Sequence, residues 1–296
     1  MKKVNSIQTL VQKSIFGLGT IMLVILLILS MSCTTELDSV NSINQIDEAA
    51  VAAELIAQAD FEEIDDMSSN AMVATDGSTG GRVTGYNDDR LNCAIVNHDF
   101  ENNTITIDFG EGCTGPNGVE RSGMIIITYD GRRFMPGSSW SITFENFYIN
   151  DRHIEGTRTT TNISETLLDS PKFHITLENG KVTWPDSTFA TREVDRVRVW
   201  NREDNPLMDQ WLILAESTTE GVNRREVNYS TLVLEDLVYQ RSCRGPHKGR
   251  IPVAGVKEVT LGEDTFTVDF GDGECDTIVT ITAADGESKE IDLSDR

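Results

Sequence analysis

From residue 82 onward the hydrophobic pattern repeats every two residues, and no other feature limits the fold so strongly. Segments such as TITIDF (104–109), SWSITFENFYI (139–149), KFHITLENGKVTW (172–184), TLVLEDLVY (231–239) and TIVTIT (277–282) are rich in β-branched and aromatic residues. Such side chains fit a pleated, half-buried surface. Turn signals separate the segments: Asp130-Gly131, Asn179-Gly180, Pro185-Asp186 and Asp285-Gly286. The Asn-Gly and Asp-Gly pairs suit two-residue hairpins, whose central residues need positive φ. About a dozen strands result, with no helical pattern between them, so the pairing is antiparallel. The expected fold is mainly β: a large antiparallel meander, as a sandwich or an open barrel, with one short N-terminal helix. In 139–149, Ile142, Phe144, Phe147 and Ile149 lose strict alternation across Glu145 and Asn146. That shift predicts a bulge or a strand buried on both faces.

Two cysteine-bounded segments repeat. Cys93 to Cys113 ends in TITIDFGEGC, and Cys243 to Cys275 ends in TFTVDFGDGEC. Each cysteine pair would staple the same hairpin in its own copy, so neighbours in sequence are expected to pair, Cys93 with Cys113 and Cys243 with Cys275. Four reduced thiols are the competing reading. Two copies about 161 residues apart imply two related sheet halves, or one sheet with similar edges, and not a solenoid.

The fifth cysteine, Cys33, follows a basic start (Lys2, Lys3, Lys13) and an apolar run over residues 15–31. This is the layout of a secretory signal. Its end, Ser30-Met31-Ser32-Cys33, resembles a bacterial lipoprotein signal, although Ser30 stands where an apolar residue is usual. The resemblance implies cleavage before Cys33 and its lipidation. A plain transmembrane anchor, with Cys33 incidental, is the alternative. The repeated T-x-T-[IV]-D-F-G-[DE]-G block, over roughly residues 90–130 and 240–296, resembles secreted lipoproteins of Bacteroidota. It implies location and fold, not chemistry. Acids soon after the lipidated cysteine resemble the surface-export signal of those lipoproteins, here a thin version in Glu36 and Asp38.

Residues 34–80 carry eleven Asp and Glu and no Lys or Arg. Within them, residues 47–64 place Val51, Leu55, Ile56 and Ala59 near one helix face, with Asp47 and Glu48 at the positive end of the dipole. The expectation is a short helix in a solvated acidic spacer, residues 65–81 being linker. The chain thus divides into a signal (1–32), an acidic tether (33–81) and a β domain (82–296). The formal charge of -23 argues against nucleic acid as partner.

No constellation specifies catalysis. Asp269, Asp272, Glu274 and Asp276 could hold calcium, but the closing pattern of a calcium loop is missing. The favoured reading is a glycine-shaped turn with solvated acids and an inward aromatic. His98, His153, His174 and His247 lack metal-ligand spacing. Asp-Phe-Gly stands without the other kinase motifs, and no G-x-S-x-G elbow occurs. A glycosidase carboxylate pair is not localised by the sequence. Trp140, Phe144, Phe147, Tyr148, Trp184, Trp200 and Trp211 form either a sugar-binding platform or, by preference, core. The basic run RVRVW (196–200), with Arg192, Arg202, Arg224 and Arg225, suggests cross-strand ion pairs on the wet face. The expectation is a lipid-anchored outer-membrane protein, without cofactor or metal and without a demonstrable active site. It would bind a glycan or protein partner as a non-enzymatic module. Its rivals are an open-barrel carrier of an apolar ligand and a glycan-cleaving enzyme.

Overall fold

The computed structural model describes residues 48–72, 88–115, 118–205, 208–243 and 251–293, with the side chains of 48–56 and 59 left aside. Cys33, the apolar run, the acidic flanks of the helix, His247 and the apolar quartet Val51, Leu55, Ile56 and Ala59 therefore lie outside the described side chains.

Fifteen strands among the described residues form one antiparallel sheet. In chain order they are β1 (Ile95–Asp99), β2 (Thr104–Asp108), β3 (Cys113–Thr114), β4 (Glu120–Tyr129), β5 (Ser139–Ile149), β6 (Arg152–Asn162), β7 (Lys172–Thr183) and β8 (Phe189–Asn201). There follow β9 (Gln210–Ile213), β10 (Thr218–Val222), β11 (Asn228–Gln240), β12 (Ala254–Leu261), β13 (Asp264–Asp272), β14 (Ile278–Ala283) and β15 (Ser288–Asp292). Neighbours in sequence are neighbours in the sheet, except that β3 pairs only β4 and β9 sits between β8 and β11 beside β10. No pairing among the described residues joins β1 to β15, so the meander is a single open sheet.

One face carries the core. Ile105, Ile107, Ile125, Ile127, Ile142 and Ile154 are fully shielded, each from a position with its side chain on that inner face. A second apolar cluster lies on β9 and β11–β15, around Phe266, Val268, Phe270, Val279 and Ile281. Both predicted disulfides form. Cys93–Cys113 closes the β1–β2 hairpin and Cys243–Cys275 closes β12–β13, so the repeat is one sheet with related hairpins near its two edges.

A row of irregularities lets the long strands bend. Register shifts fall between Ser122 and Met124 in β4, between Glu155 and Thr157 in β6, between Leu177 and Gly180 in β7, and between Ala254 and Val256 in β12. The expected shift in β5 is present, with Asn146 at φ 48°. An extra residue in one strand bends it and increases its twist. Asn179-Gly180, expected as a hairpin, belongs to this row inside β7. Asp130-Gly131 opens a longer loop between β4 and β5, whereas Pro185-Asp186 and Asp285-Gly286 do turn hairpins. The tight β5–β6 hairpin is made instead by Asn150-Asp151, both at positive φ.

The helix, α1 (Glu48–Ala71), is longer than the sequence pattern suggests and is no solvated spacer. Phe61, Ile64, Met67, Ala71 and Met72 are buried in the main core, and the Phe61 ring meets Phe144 edge-on at 6.4 Å. Segment 65–71, expected as linker, is its last two turns.

Gly123, at φ +79°, would place a Cβ 1.9 Å from the Asn146 carbonyl oxygen. Gly123→Ala should therefore cost at least about 2 kcal/mol in urea unfolding, from a left-handed backbone plus a clash. Gly110→Ala, at φ +62° with open space around it, should cost only about 1 kcal/mol.

Candidate functional site: an acidic helix on an arginine-lined sheet face

The inner face of β4, β6 and β8 is where charge converges. Parity along β8 is set by Ala190, Val194 and Trp200, all buried, and this places Arg196 and Arg198 on the same face. The RVRVW arginines therefore point into the protein, against the wet-face expectation, and Val197 and Val199 take the other face. Arg121 on β4 and Arg152 and Arg158 on β6 share the inner face. Arg121 and Arg158 are only 2% and 1% exposed.

Each arginine meets a carboxylate of α1. Arg152 grips Asp60 with two hydrogen bonds, Nε to Oδ2 at 2.9 Å and Nη2 to Oδ1 at 2.7 Å. Arg121 donates to Glu63 through Nε at 2.9 Å and again through Nη2. Arg158 Nη2 donates to Asp65 Oδ2, while Arg196 and Arg198 approach the same oxygen at 3.6 and 3.8 Å. Arg196 also pairs with Glu62. The helix C-terminus has no basic residue of its own, and Arg133 from the β4–β5 loop donates to the Ser69 carbonyl at 2.7 Å. A cation there complements the negative end of the helix dipole.

Electrostatics follow from this geometry. Burial pushes the Glu62 carboxyl up, but Arg196, Arg158 and Arg198 together outweigh it and hold its pKa at about 2. Burial lowers the pKa of Arg158, with Asp65 opposing. Arg196 is desolvated too, but Glu62 and Asp65 raise it above the ordinary guanidinium value. On β6 and β8, Arg158 Nε, Arg196 Nε and Arg198 Nε are buried without a hydrogen-bond partner, and Arg196 Nη2 has only its 3.6 Å ion pair with Asp65.

The aromatics divide differently. Trp140, Phe147 and Trp200 are core, as preferred over a platform. Trp200 stacks on Trp211 at 4.9 Å, with Arg202 over the first ring and Arg198 over the second. Trp184 lies under Arg224, which pairs Asp186 at 2.7 Å on the exposed side. Tyr148 is half-exposed and stacks on His153. His174 pairs Asp195 at 2.8 Å, and His98 stacks on Phe100, so these histidines do not converge.

The two Asp-Phe-Gly blocks are equivalent turns. Asp108 Oδ1 accepts from the Gly110 N–H and Asp269 Oδ1 from the Gly271 N–H, both at 2.8 Å, while Phe109 and Phe270 are buried. Asp269, Asp272, Glu274 and Asp276 are exposed. Asp269 is engaged with its own backbone turn, and Asp276 accepts from the Ile278 N–H. No metal-holding group of three His, Cys, Asp or Glu occurs among the described residues.

Sequence reasoning missed one surface. The loops after β1, β4, β6 and β8 share one end of the sheet and expose Phe100, Met135, Ile163, Leu167, Leu168 and Met208. A parity count ends where the strands end, so it gives no signal for such residues. Among the described residues no helix is long and apolar enough to cross a membrane.

Removing one partner of a buried ion pair strands the other. Arg121→Met should destabilise by about 3–5 kcal/mol in chemical unfolding, and adding Glu63→Leu should recover much of that loss. Arg152→Met, at a pair 17% exposed on the arginine side, should cost less. Because the folded Glu62 pKa lies below its unfolded value, its contribution is full above about 4.5 and is lost as the pH falls toward 2. The unfolding midpoint of the native chain should thus drop between pH 5 and pH 2.5 more steeply than that of Glu62→Gln. Compared with known protein families, curated proteins and solved structures, the chain matches none.

Proposed function

We propose that the chain is an exported, lipid-anchored protein of the outer membrane that acts as a non-enzymatic binding or structural module. The observation that carries this reading is cysteine usage. Four of the five cysteines are bridged, as suits an oxidising compartment, and Cys33 alone is left, directly behind the apolar run. Its chemistry there is lipidation and attachment to the membrane.

Binding is favoured over the rival roles by how the inner face is used. The carboxylates buried on α1 are each engaged by arginine, which suits structure better than acid–base catalysis. The helix also fills the face on which an apolar cargo would lie, so a carrier would first have to release it. A protein or glycan partner has the exposed loop end available, with Leu168 97% exposed at its tip.

Cys33→Ala should move the protein from the membrane to the soluble fraction on cell fractionation; unchanged partitioning overturns the anchor. The released full chain then suits a glycan array and a cross-linking screen. Capture of neither class of partner overturns the binding role.

A further inference from the structure

The sheet has an outer face, turned away from α1, and charge is spread unevenly over it. Paired residues share a face, so the register carries one row across five neighbouring strands: Thr104 on β2, Thr128 on β4, Ser141 on β5, Thr159 on β6 and Thr176 on β7. No register shift interrupts this row, and at ~4.8 Å between strands it is about 19 Å long. Flanking positions repeat the chemistry, with Thr106 and Thr143 on one side, Ile126 between them, and Ser139 and Thr161 on the other. None of these residues is buried. Charge returns at the rim, where Asp99 and Asp195 close the two ends of the row and Asp130 and Glu178 stand at corners. Followed into the other half of the sheet, the same face carries Glu193, Glu220, Glu258, Glu290 and Asp292, as a wet face should. Favourable cross-strand threonine pairs explain the hydroxyls as sheet formers. They do not explain why a chain of formal charge -23 leaves this patch uncharged.

We infer that the outer face of β2–β7 is a binding surface for a neutral glycan chain laid across the strands. This deepens the binding-module reading, rests on it, and names the ligand class. An acidic polymer would need cations, and a protein partner an apolar or aromatic centre, where this patch has Ile126. A row of hydroxyls, each both donor and acceptor, suits an uncharged ligand whose own groups do the same, as sugar hydroxyls do. Ser141 and Thr159 bond each other at 3.0 Å, and Thr161 donates to Ser139 at 3.3 Å. A hydroxyl has one donor and two acceptor lone pairs, so both pairs keep capacity for a ligand. The acids at the rim repel anionic glycans and so select neutral ones. Each rung contributes little, and affinity comes from several engaged at once, which favours long chains over short fragments.

The test uses the full chain bearing Cys33→Ala and three insoluble neutral polysaccharides, cellulose, starch and mannan, with cross-linked alginate as the anionic control. Co-sedimentation should show saturable binding to at least one neutral polymer, insensitive to added salt, and none to alginate. Thr128→Val, Thr159→Val and Thr176→Val together keep β propensity while removing three hydroxyls, and should weaken binding at least about tenfold. Thr159→Lys, which sets a long charged side chain in the middle of the row, should abolish it. Binding to none of the neutral polymers overturns the inference, as does tighter binding to alginate or equal binding by the native chain and the triple-valine variant. If the triple variant fails to fold, Thr159→Lys decides, and unchanged binding overturns the inference equally. Neutral-glycan binding that survives both variants removes this face and leaves the module reading intact, since the partner screens decide that reading separately.

Discussion

The structure depends on a buried contact between opposite charges: guanidinium groups on three strands and carboxylates on one helix. Without α1, Arg121 and Arg158 would lose the carboxylates that pair them among rows of isoleucine. Without the sheet, four acids crowded into six helical positions would repel one another. Each half is therefore a poor structure alone. Ion pairs of this kind add little net stability over apolar side chains of equal size, because both partners give up water. What they add is position. The two-pronged grip of Arg152 on Asp60 and the two Arg121 bonds to Glu63 fix how far along the sheet the helix lies.

That arrangement requires a bent sheet. Strands of ten to thirteen residues such as β4, β7 and β8 would lie too flat to hold a helix against one face. The shifts at Gly123, Asn146, Gly156 and Asn179-Gly180 fall on adjacent strands. Close backbone approach explains the glycines: a Cβ on Gly156 would lie 2.9 Å from Gly180 Cα. A smaller apolar cluster, on β9 and β11–β15, lies to one side of the bend. Disulfides tie the β1–β2 hairpin at one edge and the β12–β13 hairpin two strands in from the other, and they limit the unfolded chain at both.

What could be read from the sequence was what local alternation encodes. Strands, the shift at Glu145-Asn146, the inward Phe109 and Phe270, and the cysteine pairs all follow from residues close together in the chain. The helix seat was hidden because its two halves are far apart: Glu63 and Arg121 are separated by 58 residues, Asp65 and Arg158 by 93. An acidic segment without nearby cations looks solvated until its partners are placed. RVRVW misled for a related reason. Taking valine as inward is the sound guess for a half-buried strand, but in β8 the flanking Ala190, Val194 and Trp200 share parity with the arginines. Asn179-Gly180 can serve equally as a hairpin or a bulge, and only the length of β7 decides.

The charge of the N-terminal segment changes meaning accordingly. Of its eleven acids, Asp60, Glu62, Glu63 and Asp65 are neutralised by the sheet, so a segment that reads as uniformly acidic and solvated contributes to the core. Synthesis from the N-terminus makes this segment before the strands that receive it. The helix must wait, with its carboxylates solvated, until β8 supplies Arg196 and Arg198. During that interval the acidic surface keeps an otherwise apolar face soluble, because ionised side chains resist burial until paired. The same residues thus protect the unfinished chain and later fix the finished one. Burying charge here serves order of assembly and uniqueness of docking more than raw stability.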